Sequence, residues 1–155
     1  MDNTRRTFVK ATAALSLASA LPSPATAAGA IPRRKLGKTG LEVSIIGLGG
    51  ARTGNLANEK QAVDTIRRCY DLGVNYFDTA AAGAYGISQS RYGRALSDVR
   101  SKIILSTKTR HRTRLHSQLD LDQSLSSMKT DYIDLYQGHK VMNDEDIDFI
   151  IGSRG

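Results

Sequence analysis

The chain has 155 residues, 40% of them hydrophobic, and a formal net charge of +7 at pH 7. Its basic clusters are not interleaved with aromatic side chains, which favours a solvated basic surface and argues against nucleic acid as a partner. The single cysteine, Cys69, excludes an intramolecular disulfide, and without CxxC or HExxH motifs the sequence predicts no metal site.

Residues 1–27 are predicted to be a signal peptide that takes no part in the fold. Arg5 and Arg6 precede an apolar stretch from Ala11 to Leu21, and the segment ends in the small-residue cleavage site Ala25-Thr26-Ala27. The stretch is shorter than the ~20 residues that cross a bilayer, so we expect no stable membrane anchor. The arginine pair resembles the twin-arginine export motif, which implies the twin-arginine export machinery as a partner and a periplasmic or otherwise exported location. The alternatives are an ordinary secretory signal and a basic disordered tail.

After a linker at residues 28–34, strand and helix signals alternate along the chain. Residues 34–44 predict a hairpin, and the apolar run Ile45–Gly49 predicts a buried parallel strand. Asn58 is expected to cap a helix that Gly73 ends. The later elements predicted are a strand at Val74–Asp78, a helix near Ser88–Leu96, a strand at Ile103–Lys108, a helix near Leu115–Lys129 and a strand at Tyr132–Gln137. Strands separated by helices predict a parallel sheet with the helices packed outside it.

Ionisable residues recur where three successive strands are expected to end: Asp78, Lys108 and His139. Each has a structural explanation, since Asp78 could cap a turn, Lys108 could reach solvent and His139 could be a hydrogen-bonded core residue. Their recurrence at the same position of successive βα units favours a shared site, because the carboxyl ends of parallel strands meet at one face of a βα barrel.

The chain after the leader resembles the aldo-keto reductases over nearly all of its length. The segments that carry the resemblance are Lys35–Gly49, Asn75–Ala80, Tyr85–Leu96, Ser106–Thr109 and Asp131–His139. The resemblance implies an α/β fold of the (β/α)8 TIM-barrel type, with a hairpin and about the first four βα units at residues 35–155. We therefore expect the sequence to stop before the barrel does.

The same resemblance implies a catalytic set of Asp78, Tyr85, Lys108 and His139. Reducing a carbonyl requires a hydride for its carbon and a proton for its oxygen. Tyr85 would be the general acid, assisted by Lys108, because a nearby ammonium favours the phenolate that remains. Asp78 would hold Lys108, and His139 would orient the carbonyl.

The tyrosine position departs from the family pattern. Four residues, Ala81–Ala84, separate Asp78-Thr79-Ala80 from Tyr85, where the family usually has two. The competing proton donor is Tyr92, but it is predicted to lie within a helix, so Tyr85 is preferred.

By resemblance, the cofactor is NADP, with NAD possible, and the loop after the first strand would approach its ribose. The predicted cofactor-binding residues are Gly50, Ala51, Arg52 and Asp78. The expected function is that of an NAD(P)-dependent oxidoreductase acting on a small-molecule carbonyl or alcohol. The alternatives are a cofactor-binding regulatory subunit, as potassium-channel β subunits are, and an inactive truncated fragment.

Overall fold

The computed structural model describes residues 31–152, so the predicted leader and its twin-arginine motif lie outside the described residues. The strands and helices, in chain order, are β1 (Arg33–Lys35), β2 (Glu42–Ser44), β3 (Leu48–Gly49), α1 (Gly50–Gly54), α2 (Glu59–Asp71), β4 (Tyr76–Asp78), α3 (Ser88–Leu96), β5 (Ile104–Thr109), α4 (Arg114–Met128), β6 (Leu135–Gly138) and α5 (Asp144–Ile151). Short 3-10 turns occupy Gly83–Tyr85 and Ser97–Lys102. No helix within residues 31–152 is both long and apolar enough to cross a bilayer.

An antiparallel hairpin opens the described chain, as the sequence predicts. β1 pairs with β2 so that Arg34 lies opposite Val43. The hairpin is tied to the sheet by the buried side chain of Asn75. Its Oδ1 accepts the N–H of Ser44 at 2.6 Å, and its Nδ2 donates to the carbonyl of Glu42 at 2.8 Å. The hairpin is therefore fixed at the amino end of β4.

The first strand of the parallel sheet is shorter than predicted. The sequence predicts a strand over Ile45–Gly49, but β3 covers only the last two of these residues, and Ile45 and Ile46 are 51% and 58% exposed. The backbone before β3 bonds to the hairpin segment instead. The N–H of Ile45 donates to the carbonyl of Pro32 at 2.9 Å, and Ser44 Oγ donates to the carbonyl of Ile46 at 2.7 Å. Parallel pairing therefore begins only in β3.

Four parallel strands lie side by side in chain order, β3-β4-β5-β6. In their register Gly49 lies opposite Asp78, Asp78 opposite Ser106, and Lys108 opposite Gln137. Each strand is followed by at least one helix. This confirms the α/β fold, and the repeated strand-helix order is that of the first four units of a (β/α)8 barrel.

The apolar core lies between one face of the sheet and the helices. It includes Phe77 and Leu105 from the strands and Ile66, Tyr92 and Met128 from the helices, each no more than 2% exposed. Because side chains alternate along a strand, the residues next to Phe77 and Leu105 point to the opposite face. That face carries the ionisable residues that end the strands.

Helix α2 begins and ends where the sequence predicts. Asn58 Oδ1 accepts the N–H of Gln61 at 2.9 Å, which satisfies one of the free donors in the first turn. Gly73 follows the helix with φ of 101°, a conformation that favours glycine.

The last strand begins later than predicted. The sequence predicts a strand at Tyr132–Gln137, whereas β6 covers Leu135–Gly138. The residues before β6 are held by the guanidinium of Arg100, which lies 2.7 Å from a carboxylate oxygen of Asp134 and donates to the carbonyl of Tyr132 at 2.9 Å. The backbone carbonyl of Tyr132 is therefore hydrogen-bonded to the side chain of Arg100.

Candidate active site

The carboxyl ends of β4 and β5 place a lysine beside an aspartate. Asp78 ends β4, and Lys108 is the penultimate residue of β5. Lys108 Nζ lies 2.6 Å from Asp78 Oδ2, and the two side chains are 13% and 26% exposed, respectively. Nζ also donates to the carbonyl of Thr79 at 2.8 Å. Two oxygens thus fix the ammonium group where partial burial strengthens charge interactions.

A row of hydrogen bonds across the sheet fixes the other carboxylate oxygen of Asp78. Ser106 Oγ donates to Asp78 Oδ1 at 3.0 Å, and Gln137 Nε2 donates to Ser106 Oγ at 3.2 Å. Sequence reasoning assigned no role to Ser106 or Gln137. Their place in the strand register, opposite Asp78 and Lys108, is the signal that could have found them.

Tyr85 reaches the same group of side chains from the connection between β4 and α3. It ends the 3-10 turn Gly83–Tyr85 and is half-buried. Lys108 Nζ lies 5.1 Å from the centroid of its ring, within the range of a cation–π contact. The ring of His139 approaches edge-on, with the two centroids 6.0 Å apart and an interplanar angle of 77°. The four predicted catalytic residues therefore converge.

Tyr92 is a core residue. It is 1% exposed, and its ring packs edge-on against Phe77 with centroids 5.8 Å apart. Its hydroxyl donates to the carbonyls of Leu48 at 2.9 Å and Asp78 at 3.3 Å, which links the ends of β3 and β4. Burial raises the pKa of Tyr92 well above its usual value. The geometry thus favours Tyr85 over Tyr92 as proton donor.

His139 lies directly after β6, and its backbone N–H donates to the carbonyl of Thr109 at 2.8 Å. Its Nδ1 is buried and has no hydrogen-bond partner among residues 31–152. Burial lowers the pKa of His139 below its usual value, and nearby cations lower it further: Lys108, Lys140, Arg110 and Arg112. These effects favour the neutral imidazole, in which one nitrogen can donate and the other can accept a hydrogen bond.

Arg112 fixes the backbone that carries His139, and sequence reasoning missed it. Its Nη2 donates to the carbonyls of His139 at 3.0 Å and Lys140 at 2.9 Å. Its Nε lies 3.3 Å from Asp146 Oδ1 in α5. This guanidinium connects the loop after β5 with the loop after β6.

The segment predicted to approach the nicotinamide ribose is a helical turn and not a loop. Residues 50–53 belong to α1. Gly50 is buried, and a Cβ there would lie 3.0 Å from Ser88 Oγ and from Thr79 Oγ1. Gly50 therefore packs against its own chain, where a larger residue would not fit without a shift.

The surface at the end of β3 is open and lies beside the turn that carries Arg52. Gly49 lies opposite Asp78 in the register, and a Cβ at Gly49 would meet nothing within 4 Å. Arg52 is exposed and Ala51 half-buried on the following turn. A guanidinium group suits phosphate recognition, and the unpaired Nδ1 of His139 is a further polar atom for a bound partner. Binding of the cofactor by Gly50, Ala51, Arg52 and Asp78 stays a prediction.

A parallel βα sheet with polar side chains converging at the strand ends defines the class of βα-barrel proteins whose site lies at that face. Residues 45–152, more than half of the chain, match the model of the aldo/keto reductase family, and the chain belongs to this family.

Known relatives support this assignment. Aldo-keto reductase YhdN of Bacillus subtilis is 38% identical over 117 residues, covering 65% of this chain and 35% of the relative. A Schizosaccharomyces pombe protein named as a voltage-gated potassium channel subunit beta is 32% identical over 128 residues, covering 71% and 37%. The holo form of a Bacillus halodurans aldo-keto reductase superposes with a TM-score of 0.69 at 32% identity, covering 78% of this chain and 44% of that one. The chain thus spans less than half the length of these relatives.

Proposed function

We propose that this chain carries the catalytic residues of an NAD(P)-dependent oxidoreductase that interconverts a small carbonyl compound and its alcohol. The observation that carries the proposal is the convergence of Tyr85, Lys108, Asp78 and His139 at the carboxyl ends of the strands. The Lys108–Asp78 ion pair at 2.6 Å and the Lys108–Tyr85 ring contact at 5.1 Å connect three of them directly.

Each of the four side chains has a distinct task in this chemistry. When bound, the nicotinamide supplies the hydride for the carbonyl carbon. Tyr85 donates a proton to the developing alkoxide, and the ammonium of Lys108 stabilises the negative charge left on the tyrosine oxygen. Asp78 holds Lys108 against the ring. The neutral imidazole of His139 orients the carbonyl oxygen.

In the reverse direction the same groups serve alcohol oxidation. The phenolate of Tyr85, stabilised by the ammonium of Lys108, accepts the hydroxyl proton of the alcohol, and the oxidised nicotinamide, when bound, would take up the hydride. Because Asp78 and Lys108 are largely shielded from solvent, their interaction is screened by salt less than a surface pair would be.

For the cofactor we propose NADP, with NAD as the second candidate. The exposed guanidinium of Arg52, next to the open surface at Gly49, suits an anionic group of either cofactor. The B. halodurans relative is known in a holo form. Titrating the full-length protein with NADPH and with NADH, following the fluorescence of the reduced nicotinamide, distinguishes the two.

The test of the proposed function compares Lys108→Met with Lys102→Met in the full-length protein. Lys102 is exposed and lies before the amino end of β5, so its loss serves as the control. Oxidation of NADPH by a panel of aldehydes and ketones is followed by absorbance. We expect kcat to fall by about 10²-fold or more for Lys108→Met and to stay unchanged for Lys102→Met. Equal activity of the two variants would contradict the proposal.

A second candidate function is that of a cofactor-binding regulatory subunit. It is favoured by the relative from S. pombe, which is named as a potassium channel subunit beta. In that case the full-length protein would bind NADPH, but neither the wild-type protein nor the Lys108→Met variant would reduce any carbonyl in the panel. Binding without turnover therefore separates this candidate from the reductase.

We also propose that the protein is exported by the twin-arginine route. The support is sequence alone: Arg5 and Arg6 ahead of an apolar stretch, and the small-residue site at residues 25–27. A route for folded proteins would let the cofactor be bound before export.

A further inference from the structure

Tyr85 lies outside regular sheet and helix, so its position depends on a few identifiable bonds. Within its own turn, the N–H of Tyr85 donates to the carbonyl of Ala82 at 2.8 Å, and the N–H of Gly86 donates to that of Gly83 at 3.1 Å. These bonds fix the shape of the turn, but they do not fix the turn to the rest of the site.

The side chain of Asn55 supplies that connection. Its Nδ2 donates to the carbonyl of Ala51, in α1, at 2.7 Å and to the carbonyl of Ala84 at 2.8 Å. Ala84 directly precedes Tyr85, and Ala51 belongs to the turn predicted to approach the cofactor. One amide group thus joins the backbone on the cofactor side to the backbone on the proton-donor side.

The two segments joined by Asn55 are in direct contact. The N–H of Ile87 donates to the carbonyl of Gly54 at 3.3 Å. Gly86 has φ of 52°, and a Cβ there would lie 2.6 Å from the carbonyl oxygen of Gly54 and 2.9 Å from Asn55 Oδ1. A side chain at residue 86 would therefore separate the segments.

The cofactor-side turn is itself anchored to α3. Arg91 is 4% exposed, and its guanidinium donates to the carbonyls of Thr53 at 2.5 Å and Leu56 at 2.8 Å. Because α1 and the following residues are held in this way, the bond from Asn55 to Ala84 relates the Tyr85 turn to a fixed support.

We propose that Asn55 is a positioning residue for Tyr85, setting the distance between the proton donor and the cofactor-side turn. The inference rests on the proposed function, in which Tyr85 donates the proton. Asn55 acts only through the backbone at Ala84 and Ala51 and touches no reacting atom.

The test uses Asn55→Asp and Asn55→Ala in the full-length protein, with Asn58→Ala as the matched control. Aspartate keeps the size of the side chain but has no N–H to donate, and it places carboxylate oxygens against two carbonyls. Asn58 belongs to the same connection, is exposed and accepts a bond from the N–H of Gln61, and within residues 31–152 it has no hydrogen bond to the Tyr85 turn.

The first measurement is amide hydrogen exchange, which requires no activity. We expect the amides of Tyr85, Gly86 and Ile87 to exchange about tenfold faster or more in both Asn55 variants and to be unchanged in Asn58→Ala. Unchanged exchange at these three amides in Asn55→Asp would overturn the proposal.

The second measurement is kinetic. We expect kcat and kcat/KM to fall together, by about 10- to 100-fold, in Asn55→Asp, because a misplaced proton donor weakens only the transition state. In a Tyr85→Phe background the same substitution should change kcat by less than about twofold, since the residue through which it acts is gone. An undiminished loss in that background would overturn the proposal, because Asn55 would then act by another route.

Failure of the proposed function gives a different pattern. If the wild-type protein reduces no carbonyl and Tyr85→Phe changes nothing, the reductase assignment fails. The exchange measurement then still decides whether Asn55 fixes the Tyr85 turn.

Discussion

Two conservative substitutions, Tyr85→Phe and Tyr92→Phe, should separate catalysis from stability at this site. Each removes one phenolic oxygen and leaves the ring. Tyr85 is half-buried on an irregular turn beside Lys108, whereas Tyr92 is 1% exposed and donates to the carbonyls of Leu48 and Asp78. The same chemical change therefore has different consequences.

The structure sets the expected magnitudes. Loss of the Tyr92 hydroxyl leaves two carbonyls at the strand ends without this donor, which should cost about 1–3 kcal/mol of unfolding free energy. Loss of the Tyr85 hydroxyl should change stability by no more than about 0.5 kcal/mol. If Tyr85 is the general acid, however, its loss should lower kcat by about 10²- to 10⁴-fold, equivalent to about 3–5 kcal/mol of barrier.

The assay combines urea unfolding with carbonyl reduction on each full-length variant, at a temperature where both remain folded. NADPH affinity should be nearly unchanged in Tyr85→Phe, because only the proton donor is deleted. A loss of reduction in Tyr92→Phe that Tyr85→Phe does not share would refute the assignment of the proton donor and the role given to the four-residue connection before it.

Three further outcomes are expected. Gly54→Ala should lower the unfolding free energy by about 1–3 kcal/mol and displace Tyr85, because the added Cβ would overlap the carbonyl oxygen of Tyr85 and lie 2.8 Å from Ser88 Cβ. The control is Gly49→Ala, whose Cβ would meet nothing within 4 Å and which should cost little in the same unfolding assay. The pKa of His139 is lowered in the folded state, so the unfolded state binds more protons. The wild-type protein should therefore lose stability relative to His139→Gln as the pH falls below about 6.5, and a stability difference independent of pH would contradict this. Replacing Arg5 and Arg6 together by lysine should leave the protein uncleaved in the cytoplasm, and unchanged export in a fractionation assay would indicate the general secretory route.

The positions of three site residues could be predicted without any structure. Asp78 and Lys108 lie at the ends of predicted strands and His139 just after one, and the strands recur at intervals of about one βα unit. Parallel pairing in chain order then forces their ends to one face, and the observed Lys108–Asp78 distance of 2.6 Å follows from neighbouring strands in register. Tyr85 lacks such a signal and was reached only through the family resemblance.

The sequence-based predictions were wrong where a hydrogen bond to a residue distant in the sequence decides the backbone conformation. Ile45 and Ile46 have the composition of a buried strand, but the N–H of Ile45 bonds to Pro32 in the hairpin, and the sheet begins only at Leu48. The family resemblance predicted a loop at residues 50–53, yet they form a helical turn that Arg91 holds through the carbonyl of Thr53. Neither partner is near in sequence, so neither outcome could be predicted from the segment itself.

The residues that hold the site together were missed for a related reason: their partners are mainly backbone carbonyls. Arg112 donates to the carbonyls of His139 and Lys140, and Asn55 to those of Ala51 and Ala84. Every residue type has a backbone carbonyl, so the sequence does not indicate which carbonyl will accept the bond. Only the donor side chain can be identified from the sequence. It follows that the acceptor side chains can change with little effect on these bonds, whereas replacing the donor removes two bonds at once. The side chains expected to act on substrate lie at strand ends that a pattern can locate, but their spacing is set by donors on the loops between them.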